Sequence, residues 1–141
     1  MKTMTVSDFQ KGEFCDFESE ITLWKDEDIM LWVDIPEDKN STLEQCIDKI
    51  NEILSWLDEN KNVIVEAILD SNIFSNIQEW TSETVTREDF AKTLEPIELA
   101  ISLKWNQTMI YVGCNQDYFN GHCICVYLND KNEITGCGLE G

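Results

Sequence analysis

The sequence is poor in basic residues: it has 10 Lys and Arg but 28 Asp and Glu. The formal net charge at pH 7 is therefore -18, and the single histidine adds little positive charge. Nucleic-acid binding requires Lys and Arg to neutralise phosphates, and anionic membrane surfaces make the same demand. The shortage excludes nucleic acid and membranes as expected partners and favours a basic protein surface.

Long apolar segments are also missing. No apolar run approaches the roughly 18 residues of a membrane-spanning helix, and residues 1–10 lack the apolar core of a secretory signal. The sequence thus predicts a cytoplasmic protein. Thiols in that compartment are reduced, so we expect no disulfide, no metal and no cofactor on the cysteines, which are Cys15, Cys46, Cys114, Cys123, Cys125 and Cys137.

Hydrophobic residues are plentiful enough for one core. They make up 43% of the 141 residues, and aromatic residues make up 10%, whereas proline occurs only 2 times. A chain of this mass folds to a surface of about 7,500 Å² and buries most of what its unfolded form exposes. We predict a single domain over 1–141, in which residues 1–12 are irregular.

The order of periodic segments predicts an α+β fold. An N-terminal β-hairpin comes first, three helices follow, and a four-strand antiparallel meander ends the chain. Hairpin and meander would form one mostly antiparallel sheet packed on the helices. The expected bounds are about 20–35 for the hairpin, 42–59, 62–80 and 86–94 for the helices, and 97–139 for the meander, which opens on an apolar row over 97–105.

Local signals predict the helix ends. Ser41 and Glu44 form a capping box at the start of the first helix, with Ser41 as the N-cap. Ser71 and Asn72 are weak helix formers, and we expect a kink there in the second helix. Pro96 would end the third helix.

The leading candidate for a binding surface is acidic. A spacing of four places three carboxylates on one face of the first helix, where each like-charged pair costs roughly 0.2–0.5 kcal/mol. Such avoidable repulsion favours a basic partner, although a solvated face screened by salt is the open alternative. The candidate partner-binding residues are Asp26, Glu27 and Asp28 in the hairpin turn and Glu44, Asp48 and Glu52 on the helix.

His122 is the one histidine, at the start of a predicted strand. A histidine there could act as a general base or a metal ligand. No recognisable catalytic motif supplies a matched nucleophile, so no catalytic residue is assigned. We interpret His122 as a structural group whose ring packs on Tyr118, Phe119 or a neighbouring strand and bonds backbone or a carboxylate. Replacing it with alanine should then lower the melting temperature.

Four of the cysteines fall in the meander. Cys123 and Cys125 share one face of a strand, and Cys114 and Cys137 lie on the strands beside it. Four thiols and His122 could in principle hold zinc, but C-x-C in a strand differs from the C-x₂-C knuckle of zinc sites. We interpret the thiols as small buried side chains between the sheet and the helices, and we predict no metal.

The second half of the chain carries a family resemblance. A short helix opens on residues 86–90, and a terminal strand ends in residues 138–141. Between them, residues 117–126 contain the most distinctive positions, Phe119, Gly121 and His122. With the hairpin and the acidic helix, this pattern resembles the bacterial domain-of-unknown-function family 2262 over most of the chain. The resemblance implies a structural motif at these three residues and brings no activity with it.

Charge and resemblance together predict an interaction protein rather than an enzyme. By analogy with small acidic bacterial domains of toxin–immunity and defence gene clusters, we expect an immunity or inhibitor protein that binds a basic toxin or nuclease surface stoichiometrically. Two alternatives stay open. One is a small-ligand-binding domain or enzyme that uses the His122 loop, and the other is a soluble domain whose acidity serves only solubility.

Overall fold

Seven strands form the sheet in the computed structural model, which describes residues 1–25 and 28–141. Their spatial order follows the order of the chain. Neighbouring strands are antiparallel except the third and fourth, which run parallel. The strands are β1 (Gln10–Lys11), β2 (Phe17–Thr22), β3 (Asp28–Asp34), β4 (Leu94–Ser102), β5 (Gln107–Cys114), β6 (Cys123–Leu128) and β7 (Ile134–Glu140).

The α-helices lie between β3 and β4 in the sequence. They supply the long crossover that two parallel neighbours need, and their presence beside the sheet confirms the α+β class. They are α1 (Leu43–Glu59), α2 (Lys61–Leu69), α3 (Asn72–Ser75) and α4 (Arg87–Thr93), with 3₁₀ turns at Val6–Asp8 and Ile77–Glu79. No helix in the described residues is both long and apolar enough to cross a membrane.

The sheet is larger than the predicted hairpin and meander. The additional strand, β1, falls in the segment predicted to be irregular and pairs only with Phe17 and Glu18. A backbone hydrogen bond from Gly12 N to Asp16 O, 3.2 Å long, closes the turn that brings it back along β2. Two residues are too few to show a hydrophobic period, which is why the sequence did not reveal this strand.

The first helix begins one residue later than predicted. Thr42, not Ser41, is the N-cap, and its side chain accepts a hydrogen bond from Gln45 N at 3.3 Å. The Ser41 hydroxyl donates instead to the Asp38 carboxylate at 3.0 Å. The predicted capping box is therefore wrong: the adjacent Thr42 offers the same kind of side-chain acceptor, and its carbonyl accepts the first helical hydrogen bond, from Cys46 N.

The predicted second helix is broken into shorter pieces. α2 ends at Leu69, and Ser71 then starts α3 by accepting a hydrogen bond from Ile73 N at 3.2 Å. The Ser71 hydroxyl also donates to Ile68 O at 2.6 Å, which is a carbonyl at the end of α2. One serine thus serves two helix ends, and the expected kink is a complete break.

Pro96 lies inside β4 rather than at the end of a helix, since α4 already ends at Thr93. It pairs with Val112 of β5, and the register then shifts between Pro96 and Glu98. The parallel pairing with β3 begins only at Glu98, so the missing N–H of proline faces no ladder there. The bulge turns Ile97 out of the expected apolar row, and this side chain is 43% exposed.

The helices pack against one face of the sheet, which we call the covered face. Alternate residues of the central strands point to it and join a single cluster with the buried side of the helices. The strand members include Leu31, Val33, Leu99, Ile101, Ile110, Val112, Ile124 and Val126, and the helix members include Ile50, Leu54, Leu57, Ile64 and Phe90.

Candidate functional site

The three carboxylates of the first helix point into solvent on α1. Glu44, Asp48 and Glu52 are exposed, and the buried residues of the helix lie on its opposite side. The Lys49 ammonium lies 3.7 Å from the Glu52 carboxylate, so one member of the trio is partly neutralised. These three residues, which we call the α1 stripe, project away from the sheet.

The hairpin turn contributes the other predicted acids. Asp26 and Glu27 lie outside the described residues. Asp28 opens β3, is exposed, and accepts a hydrogen bond from the Thr22 hydroxyl across the hairpin. In the register of the sheet, Asp28 and Thr22 belong to the face opposite the helices.

The hairpin end is fixed to the end of α1. Trp24 donates its backbone N–H to the Asp58 carboxylate at 2.9 Å and its indole N–H to Leu57 O at 2.8 Å. Glu44 lies fourteen residues before Asp58, about 21 Å along a helix. The hairpin is therefore anchored at the opposite end of α1 from Glu44, whereas Glu52 lies only six residues before Asp58, about 9 Å along the helix.

His122 closes the loop before β6. Its ring Nδ1 is 2.8 Å from Phe119 O, which is the expected kind of backbone hydrogen bond. The ring lies 5.5 Å from that of Trp80, whereas Tyr118 turns into the core against Phe90. The ring therefore packs on Trp80 and not on the predicted Tyr118. Trp80 comes from the helical region and lies next to Phe119, and no pattern in the sequence pointed to it.

Gly121 makes this loop possible. Its φ of +83° is in the left-handed region that favours glycine. Its N–H donates to the Asp117 carboxylate at 2.7 Å, which ties the two ends of the loop together. The residues of the family motif thus shape one turn, with Phe119 buried beneath it.

The four meander cysteines are divided between the two faces of the sheet. Cys114 and Cys137 pack against the covered-face cluster, as expected, but Cys123 and Cys125 lie on the other face, where we did not predict them. All six cysteines are free. Burial raises the pKa of Cys114 and of Cys125 to about 11, which keeps both thiols protonated at neutral pH.

The division of the thiols also bears on metal binding. A zinc site needs its ligands to converge on one point, and thiols on opposite faces of a sheet cannot do so. In residues 1–25 and 28–141, no group of three or more His, Cys, Asp or Glu side chains is placed to hold a metal ion.

A surface that the sequence did not reveal lies on the sheet face opposite the helices, which we call the open face. The register aligns its side chains in two rows across the strands. Most of them are half-buried, and Cys125 is fully buried among its neighbours. The open face consists of Met30, Trp32, Ala100, Met109, Tyr111, Cys123, Cys125, Tyr127, Gly136 and Gly138.

Small residues give the open face a hollow. Ala100 lies opposite both Trp32 and Met109 and leaves a cavity of about 230 Å³ beside them. Phe14, in the turn between β1 and β2, stands at its lip with 81% of its surface exposed. The indole N–H of Trp32 is buried and has no hydrogen-bond partner among the described residues. The walls of the hollow are mostly apolar, with Asp34 and Glu98 also among the lining residues.

Carboxylates surround the open face. Tyr127 donates its hydroxyl to the Glu140 carboxylate at 2.6 Å, and this bond raises the pKa of Tyr127. Burial, with Glu140 and Glu98 nearby, also raises the pKa of Tyr111. In the described strands, no Lys or Arg occupies a position on this face. The rim is made by Glu18, Glu20, Asp34 and Glu140, whereas Glu98 lies within the face, between Met30 and Tyr111.

One comparison with known proteins places the chain. A family model described as an uncharacterised protein conserved in bacteria, DUF2262, matches residues 9–139. The chain belongs to that family. The resemblance seen in the sequence is thereby confirmed, and the match includes every strand and helix except the first 3₁₀ turn and the last residue of β7. No curated protein and no solved structure matches the chain.

For this member of family 2262, one sequence signal could have pointed to the open face. Apolar residues occur at both parities in β3 and in β5. The two sets of alternate positions carry different types of apolar side chain, however. Aliphatic residues such as Leu31 and Ile110 are on the covered face, whereas the open face has Trp32, Met109 and Tyr111. Aromatic and thioether side chains at alternate positions are typical of surfaces that meet a partner.

Proposed function

We propose that this protein binds a basic protein partner stoichiometrically, as an immunity or inhibitor protein does, and that the open face is the contact surface. One observation carries the proposal: large aromatic and thioether side chains lie half-buried across a sheet face that no helix covers, with carboxylates around and among them. Large exposed apolar patches with a polar rim mark interaction sites on soluble proteins.

The composition of the open face fits an interface core. Trp, Tyr and Met are enriched where partners meet, and aromatic anchors supply much of the binding energy. Arg or Lys of a partner could lie over Tyr111 or Trp32 and gain a cation–π interaction of about 0.5–2 kcal/mol. Glu98 and Glu140 would then receive the same cation from the side.

Charge elsewhere in the molecule supports the proposal at longer range. A net charge of -18 attracts a basic partner before contact and raises the association rate. The α1 stripe points away from the sheet, so in this proposal Glu44, Asp48 and Glu52 add to the field without touching the partner. A toxin or nuclease whose basic cleft is covered in this way would be blocked without any chemistry.

Affinity capture with two matched variants tests the proposal. The tagged full chain would be used in a bacterium that carries it, at low and at high salt. Met109→Lys places a positive charge in the open face, and Val63→Lys makes the same change at a 38% exposed position on α2. We expect the unmodified chain to capture a basic protein in a one-to-one ratio. The Val63→Lys variant should still capture this partner, whereas the Met109→Lys variant should not. Equal retention by both variants, or a partner without a basic surface, would contradict the proposal.

A further inference from the structure

The outer edge of β2 is only partly paired. β1 covers Phe17 and Glu18, so residues 19–22 have no strand on their outer side in the part of the chain that the structure describes. An unpaired edge presents a row of backbone donors and acceptors that another extended chain can join.

The hydrogen-bond alternation shows which backbone groups are available. Gly12 N donates to Asp16 O, which makes these two residues a hydrogen-bonded pair of the β1–β2 ladder. Antiparallel ladders alternate, so Glu18 also faces β1, and the odd-numbered residues of β2 face β3. The N–H and C=O of Glu20 and of Thr22 consequently point away from the sheet.

A groove runs along this edge. Its second wall is the N-terminal segment, which is held in place at two points. Asn51 of α1 bonds both the N–H and the carbonyl of Met4, at 2.8 and 2.9 Å, and the Ser19 hydroxyl donates to Asp8 O at 2.7 Å. The groove has a volume of about 740 Å³.

The walls of the groove are acidic over an apolar base. Met4, Ile21 and Met30 supply apolar surface. The cations among its described lining residues are Lys2, Lys25 and the N-terminal ammonium of Met1. The Lys2 ammonium lies 3.4 Å from the Asp8 carboxylate, and the Met1 ammonium lies 3.6 Å from the Asp58 carboxylate. The carboxylates are more numerous, namely Asp8, Glu18, Glu20, Asp28 and Asp58.

We propose that an extended basic segment of the partner adds to the sheet as a strand beside β2, with its main chain bonded to Glu20 and Thr22. Strand addition takes its affinity from main-chain hydrogen bonds and its specificity from alternate side chains. Here one side of the added strand would carry Lys or Arg toward the carboxylates, and the other would carry apolar residues toward Met4 and Ile21. The class of partner rests on the proposed function, whereas the mode of binding is independent of it.

Selection from a library of random linear peptides on the immobilised full chain tests the inference. We expect enriched sequences in which Lys or Arg alternates with apolar residues. A synthetic copy should protect the amides of Glu20 and Thr22 from hydrogen exchange in the unmodified protein.

Two variants at position 20 distinguish the contribution of the main-chain hydrogen bond to peptide binding from that of the carboxylate charge. Glu20→Pro removes the outward N–H without breaking a bond to β3, and Glu20→Ala removes only the carboxylate. We expect the proline variant to bind the synthetic peptide about tenfold more weakly than the alanine variant, because main-chain hydrogen bonds are lost. Because the exchange experiment uses the unmodified protein, the inference is tested even if the proline variant does not fold.

Three results would overturn the inference: no enrichment of basic alternating peptides, equal binding by both Glu20 variants, or unprotected amides at Glu20 and Thr22. A basic peptide that shifts the Trp32 indole resonance but leaves those amides unprotected would overturn strand addition and favour the open face alone. The proposed function fails separately, through equal partner capture by Met109→Lys and Val63→Lys.

Discussion

The two faces of the sheet are built from the same strands but from different kinds of side chain. In β5, Ile110 points to the helices and is fully buried, whereas Met109 and Tyr111 on either side of it are half-buried. Branched aliphatic residues fill the covered face, where close packing rewards a fixed shape. Aromatic and thioether residues occupy the open face, where they adapt to whatever meets them. The difference separates residues that hold the fold from residues that are available for binding.

The largest expected effect compares adjacent residues of β5. Ile110→Ala leaves a cavity on the covered face and should lower the free energy of unfolding by about 2–5 kcal/mol. Met109→Ala on the open face should lower it by about 1 kcal/mol or less. Urea unfolding of both variants measures the difference. Equal losses would show that the open face is as tightly packed as the covered one.

The second prediction uses one buried thiol from each face. Cys114 and Cys125 keep their protons up to a pKa of about 11, while a thiol in the unfolded chain ionises near 9.0. Between these values the unfolded chain loses protons that the native protein retains, so the free energy of unfolding falls as pH rises. Below pH 9 neither state is ionised at these thiols, and they contribute no pH dependence.

Urea unfolding in reducing buffer across that pH range checks this prediction. The control is the double variant Cys114→Ala and Cys125→Ala, in which the fall should be shallower. An identical fall in the control would assign the pH dependence to other groups, such as the tyrosines.

The third prediction concerns the loop at the end of the sheet. His122→Ala removes the ring that is hydrogen-bonded to Phe119 O and packed at a tilt against Trp80, at a cost of about 1 kcal/mol. The melting temperature should fall by about 2–4 °C, and capture of the partner should be unaffected. Loss of capture with an unchanged melting temperature would favour the alternative function at this loop.

The smallest change in stability is expected for substitutions on the exposed side of α1, which faces away from the sheet. Asp48→Asn relieves repulsion from Glu44 and Glu52 and should stabilise the protein by about 0.2–0.5 kcal/mol per pair. Glu52→Gln gives a smaller gain, because it also removes the ion pair with Lys49. Thermal unfolding compares the two variants.

The rate at which the partner associates shows whether the α1 stripe contacts the partner or only attracts it from a distance. If the stripe acts only through its long-range electric field, Asp48→Asn should slow association slightly and only at low salt. A large loss of affinity at high salt would instead place α1 in the interface.

The local pattern predicted the class of fold because it reports burial along each element. The alternation around Leu99 and Ile101 and the helical spacing of Ile50, Leu54 and Leu57 both reflect the covered face. The parallel pairing of β3 with β4 had no such local signal, since a hydrophobic period does not name the neighbouring strand.

The errors have equally specific causes. The neighbouring Thr42 offered the same side-chain acceptor as Ser41 and took the N-cap, and Ser71 completed a break between two helices. Pro96 lies in a strand at a position where no neighbouring strand needs its N–H. For the candidate site, spacing placed Glu44, Asp48 and Glu52 on one helix face but said nothing of where the hairpin would dock. The open face could not be predicted because its residues are apolar, and whether a helix covers them depends on the assembled sheet.

The parallel pairing of β3 with β4 also bears on how the chain reaches its native state. Each of the other strand pairs joins segments that are close in sequence, so hairpins can form early and independently. The β3–β4 pair must bring together the two ends of the whole helical stretch, and the entropy of closing that loop is spent before its contacts form. We expect the pairing of β3 with β4 to be the slow step of folding and the first strand pairing to be lost when the sheet unfolds.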